Sequence, residues 1–79
     1  MSTPSIAEQV AEQLSPYIGP FNATIAVKTF AQRSLKVAPE ALTIEQVPAL
    51  LDALRPMLNT LVGRLSTEGL LEQIRRAVK

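Results

Sequence analysis

The chain has 79 residues, eight basic and seven acidic side chains and a formal charge of +1, which describes one small domain without a strong charge bias. It contains no cysteine and no histidine, so disulfides, thiolate nucleophiles, ordinary zinc sites and the commonest general base are all missing. A chain of this size buries only about 60% of the surface its unfolded form exposes. Without a covalent or metal staple, such a core depends on regular helix packing or on self-association.

Residues 1–5 have neither a basic start nor a long apolar run, so they do not read as a signal peptide, and residues 1–4 read as a disordered tail. Ser5 is an N-cap with Glu8 completing a capping box, and Ile6, Val10, Leu14 and Tyr17 then share one face, with Ala7, Ala11 and Ile18 at its edge. This first helix runs from Ile6 to Ser15 or Tyr17. Its end is blurred by Pro16, and Gly19 and Pro20 form the stop.

Asn22 is the expected cap of a second helix that reaches Leu35. Ala23, Ala26, Val27, Phe30, Ala31 and Ser34 line its main face, while Phe21 and Ile25 point the other way. Residues 36–39 read as a linker and residues 40–42 as a single helical turn.

The spacing makes residues 43–65 the centre of the fold. Val47, Leu50, Leu51, Leu54, Leu58 and Leu61 fall within one arc of about 120° on a helical wheel. Thr43 caps this segment, with Gln46 in the third position of the box, and Pro48 lies near the start, where a missing N–H matters least. Pro56 lies inside the segment and should kink it or divide it in two, although the leucine phase is kept on both sides. Gly63 weakens the far end. Ser66 is the expected cap of a last helix to Val78, with Leu70, Leu71, Ile74, Ala77 and Val78 inward and Glu72 placed to pair with Arg75 and Arg76.

No run alternates with period two, and no internal repeat stands out. The fold class expected is therefore all-α: a compact four- or five-helix domain over residues 1–79 with a central Pro-kinked or Pro-split helix.

Function is harder to extract. Glu8 with Glu12, and Glu68 with Glu72, sit one turn apart on polar faces with no third ligand, so they read as solvated surface and no metal or cofactor is implied. Ser5, Thr43 and Ser66 read as caps and not as nucleophiles, and no glycine-rich phosphate loop occurs, so no catalytic residue is assigned and the chain reads as non-enzymatic. No small-molecule ligand is inferred. Lys28, Arg33 and Lys36, with Thr24, Thr29 and Gln32 between them, could touch phosphates. Yet Lys28 and Arg33 lie about 140° apart around the helix, and acidic blocks precede and follow them. A nucleic-acid-binding or regulatory domain is thus the alternative and not the preferred reading. No apolar run is long enough to span a membrane, and the polar faces lack the basic character of a membrane-surface helix. The expected location is cytoplasmic.

What remains is protein contact. Hydrophobic residues make up 47% of the chain, more than so small a core needs, and surplus apolar surface on amphipathic helices goes into a partner or a second copy. The expected contact residues are Phe21, Ile25, Lys28, Leu35 and Met57, and the expected state is a homodimer or a complex with a protein partner.

The run Leu14, Ser15, Pro16, Tyr17, Ile18, Gly19, Pro20, followed by Ala26, Val27, Lys28 and Ala31, resembles a short helical stretch of multidomain bacterial signalling proteins. These include eukaryotic-like serine/threonine kinases, outside their kinase part, where an L–x–x–Y–I/L–G–P turn leads into a helix with V–K/R and small residues. Residues 54–58 and 61–63 look like a further small-domain motif of bacterial proteins. The resemblance implies an accessory or interaction module of a bacterial signalling system. It brings over Gly19 and Pro20 as a turn and Lys28 as a contact, and no kinase residue.

Overall fold

The computed structural model describes residues 5–78, so the tail expected at residues 1–4 lies outside the described residues. Four α-helices carry the fold: α1 (Ile6–Ile18), α2 (Pro20–Ser34), α3 (Val47–Val62) and α4 (Arg64–Ala77). Two single 3-10 turns, Pro39–Ala41 and Ile44–Gln46, bridge α2 to α3, and no strand occurs among the described residues. Each helix packs on the next and α4 closes back on α1, so the four form a ring around one aliphatic core. The domain is all-α, as the periodicity implied.

The α1 start is as expected, with the Glu8 amide donating to Ser5 Oγ at 3.1 Å. Its end is not. The helix continues through Pro16 to Ile18, and α3 likewise runs unbroken through Pro56 to Val62. Each proline deprives the carbonyl four residues back, on Glu12 or Asp52, of its partner. Both prolines and both of those residues are exposed, so water can take over the freed acceptors. Pro56 therefore neither splits the central segment nor starts a new unit.

Two other boundaries differ from expectation for one shared reason. Gly19 and Gly63 adopt nearly the same backbone, φ 92° and ψ 148° in one, φ 88° and ψ 154° in the other. Each donates its N–H to the carbonyl four residues before, on Ser15 at 2.9 Å and on Asn59 at 3.2 Å. Each then offers its own carbonyl to the amide four residues after, on Ala23 and Thr67, at 2.9 Å in both cases. One residue thus ends one helix and caps the next, so neither Asn22 nor Ser66 is needed as an N-cap. Asn22 instead turns back, its Nδ2 donating to the Ile18 carbonyl at 3.0 Å, and so closes α1. Pro20, whose fixed φ suits the first helical position, starts α2. Ser66 lies exposed inside α4, which begins at Arg64.

The two hairpins correspond position by position along the 44-residue offset between the glycines. Val10 and Leu54, Leu14 and Leu58, Ala23 and Thr67, Ala26 and Leu70, and Val27 and Leu71 are buried pairs. The correspondence fails past Phe30 and Ile74, where Ala31 is buried and Arg75 is not. Across residues 6–34 and 50–78, only Leu14/Leu58 and Gly19/Gly63 are identical. This is why a repeat that exists in the structure escapes a reading of residue types.

The central row supplies the largest buried side chains. Leu50, Leu54 and Leu58 are fully buried, with Val47 and Leu51 nearly so, against Val10 and Leu14 of α1 and Leu70, Leu71 and Ile74 of α4. Thr43 caps this segment as expected, Gln46 Oε1 accepting the Thr43 amide at 3.0 Å, although the first turn is 3-10. Tyr17 and Ala77, expected to face inward, are exposed. Arg55 links α3 to α4 through Glu68 at 3.0 Å and also holds Asp52 at 3.0 Å. These groups are exposed, and such pairs contribute only about 0–1 kcal/mol. Glu72 pairs with Arg75 and Arg76 at 3.5 and 3.1 Å.

A Cβ at either corner glycine would meet open space, so the penalty of Gly19→Ala or Gly63→Ala is one of backbone conformation alone. Each substitution is expected to destabilise by about 1–3 kcal/mol. Gly69 sits inside α4 with open space beside it, and Gly69→Ala should stabilise by about 0.5–1 kcal/mol. Urea midpoints at unchanged slope would read both signs.

Candidate functional site

The residues expected to make contacts do not form one patch. Phe21 is 76% exposed and Ile25 47% exposed, one helical turn apart on the outer side of α2, which carries its buried alanines on the opposite side. Met57 is half-buried on α3 and packs on the core, yet it also faces Ile25 across a groove. Lys28 lies elsewhere, in a cleft of about 180 Å³ between α1, α2 and the first 3-10 turn, where Glu8 and Glu40 share the lining. Acidic neighbours in that cleft do not make a phosphate-binding strip. Leu35, at the end of α2, packs partly buried against the core and lines neither cavity.

The groove between α2 and α3 is strongly apolar and measures about 420 Å³. Asn22, Ile25, Thr29 and Phe30 form one wall, Met57 and Leu61 the other, with Ile18 and Ala26 completing the lining. None of these eight is charged. Asn22 is already engaged with the Ile18 carbonyl, so it adds little polarity.

Leu61 is the residue the sequence reading misassigned. Its angle on the wheel puts it in the central stripe, yet it is 58% exposed. The angle is right for the inner face of α3. At this height, however, α3 is within a turn of Gly63 and nothing lies over it, so the stripe runs past the helices that cover it and emerges in the groove. Periodicity reports which side of a helix is apolar, not where its neighbours end. Thr67 was missed as well. It is fully buried, its Oγ1 donating to the Gly63 carbonyl at 2.8 Å, where its counterpart in the first hairpin is Ala23.

Among the described residues, no group of three or more acidic, histidine or cysteine side chains could hold a metal ion, and no helix is long and apolar enough to cross a membrane. Compared with family models, curated proteins and solved structures, the chain gave no match in any of the three. The resemblance to bacterial signalling proteins expected from residues 14–20, 26–28 and 31, and from residues 54–58 and 61–63, thus finds no support in these comparisons.

The exposure of Leu61 separates it from its stripe-mate Leu58. Leu58→Ala should cost about 2–5 kcal/mol by leaving a cavity, a large share of the roughly 4–12 kcal/mol expected for a chain of this size. Leu61→Gln should stay within about 0.5 kcal/mol of the parent. Thermal or urea unfolding of both variants is the check.

Proposed function

We propose that this domain is a non-enzymatic protein-contact module whose working surface is the α2–α3 face, with a second copy of the chain among the partners it can take. The observation that carries this reading is the uncharged groove with Ile25 and Leu61 on its walls and Phe21 beside it. Large apolar side chains around a concavity, without a charged lining, suit the apolar face of another polypeptide. They give no foothold to a polyanion. The residue types agree with a contact role, because a chain without histidine or cysteine has few groups with which to run proton or acyl transfer at neutral pH. The likeness of residues 14–20 supports placing the module in a bacterial signalling system, as an accessory part in the cytoplasm.

A photo-crosslinking amino acid at position 25 tests the surface itself. In cells it should attach to protein far more than the same group at Glu12, which is exposed on the polar side of α1. Equal attachment from the two positions would remove the reading. Ile25→Glu should abolish the same attachment from a neighbouring probe at Thr29 while the helical circular dichroism stays unchanged, since Ile25 lies outside the buried core.

A further inference from the structure

The internal correspondence supplies a comparison for the groove within the same molecule. The 44-residue offset carries the α2–α3 face onto the α4–α1 face, since α2 matches α4 and α3 matches α1. At the second face, Met57 becomes Gln13 and Thr29 becomes Gln73. These two glutamines meet, Gln73 Nε2 donating to Gln13 Oε1 at 2.9 Å, and so tie α4 to α1. Ile25 becomes Gly69, and Leu61 becomes Tyr17. One face is thus laced by an amide pair and has no side chain where the other has isoleucine. The twin face keeps an aromatic ring at Tyr17 but carries glycine and two amides at the other three positions, so an exposed isoleucine at position 25 is not a requirement of this helix pairing.

Resting on the contact reading above, we propose that this groove takes the Phe21 ring of a second copy, so that two chains close on each other in an isologous pair. A two-fold contact needs projection and recess on the same patch, and Phe21 stands one turn from the Ile25 wall. A groove without charge meets its own copy with no like-charge penalty, whereas the acidic face of α1 or the basic end of α4 would repel itself. An isologous contact uses the same patch of both copies at once, so the pair closes at two and does not grow into a filament. At roughly 200 Å² for a large side chain, the exposed parts of Phe21, Ile25 and Leu61 amount to about 350 Å². For two copies that is about 700 Å², below the roughly 1,200 Å² at which stable specific interfaces begin, so the pair is a weak one that dissociates in the high micromolar range.

Sedimentation equilibrium of the full chain, from low to high micromolar concentration, is the test. The parent should reach a dimer and stop there. Phe21→Ala should weaken it by about 30-fold or more. The double substitution Thr29→Gln with Met57→Gln, which copies the amide lacing, should leave a helical monomer. Leu65→Ala is the control, because Leu65 holds the Phe21 position in the second hairpin and is 90% exposed, but the concavity one turn along α4 from it is lined by the charged Glu72 and Arg76. It should dimerise like the parent. A parent that stays monomeric, a series that grows past the dimer, or equal loss from Leu65→Ala and Phe21→Ala would each overturn the proposal. A monomeric parent that still crosslinks to other proteins from position 25 would overturn the second copy alone and leave the contact reading standing.

Discussion

Everything in this fold follows from two helix-to-helix corners made by one residue each. Helices joined in bundles usually need two or more connecting residues. Here a single glycine at positive φ ends the first helix with its N–H and begins the second with its carbonyl. A left-handed or extended positive-φ residue is strained for any side chain, which makes glycine the residue of the corner. The gain is that few backbone groups are left unpaired at either corner, and little loop entropy must be overcome. The consequence is geometric. With one residue between them, two helices cannot drift, so the buried faces of each hairpin have a fixed relation before they meet the other hairpin.

That constraint explains why a chain without disulfide or metal can hold an ordered core. Each hairpin offers a preset apolar surface, and the two surfaces meet around Leu50, Leu54 and Leu58. The only ion pair linking two helices is Arg55 with Glu68 among the described salt bridges, and it lies in water. Aliphatic burial therefore carries the association of the hairpins, with polar contacts such as the Gln13–Gln73 pair adding registration at the rim.

How far the sequence reveals this varies with the physics behind each element. Helix content, the buried sides of α1, α3 and α4, and the caps at Ser5 and Thr43 were legible, because periodicity and capping chemistry are local. The corners were less so. Asn22 and Ser66 look like caps because their type is right, and nothing in the sequence says that a glycine carbonyl three residues upstream has already taken the role. Pro16 and Pro56 look like breaks because a proline removes a hydrogen bond, yet its effect depends on whether the abandoned carbonyl faces water. As for the groove, Phe21, Ile25 and Met57 were visible as apolar side chains off the main stripes. Lys28 was included through the resemblance and Leu35 as an apolar edge of the patch, and three-dimensional packing sends those two elsewhere.

The correspondence between hairpins separates two kinds of residue that burial alone does not. Where both halves keep a position apolar and buried, as at Leu14 and Leu58 or Val27 and Leu71, the fold itself requires it. Where the halves differ in chemistry while the backbone pattern is the same, the fold has left the choice open. The positions on either side of the groove belong to this second class: Ile25 against Gly69, Thr29 against Gln73, Met57 against Gln13. A protein that can close such a face with two amides, and keeps an oily trench on its twin, holds that surface in a state that water disfavours. Met57 is partly tied to the core, but Ile25 and Leu61 stay large and exposed where the twin face carries glycine and tyrosine, and burial within this domain does not account for them.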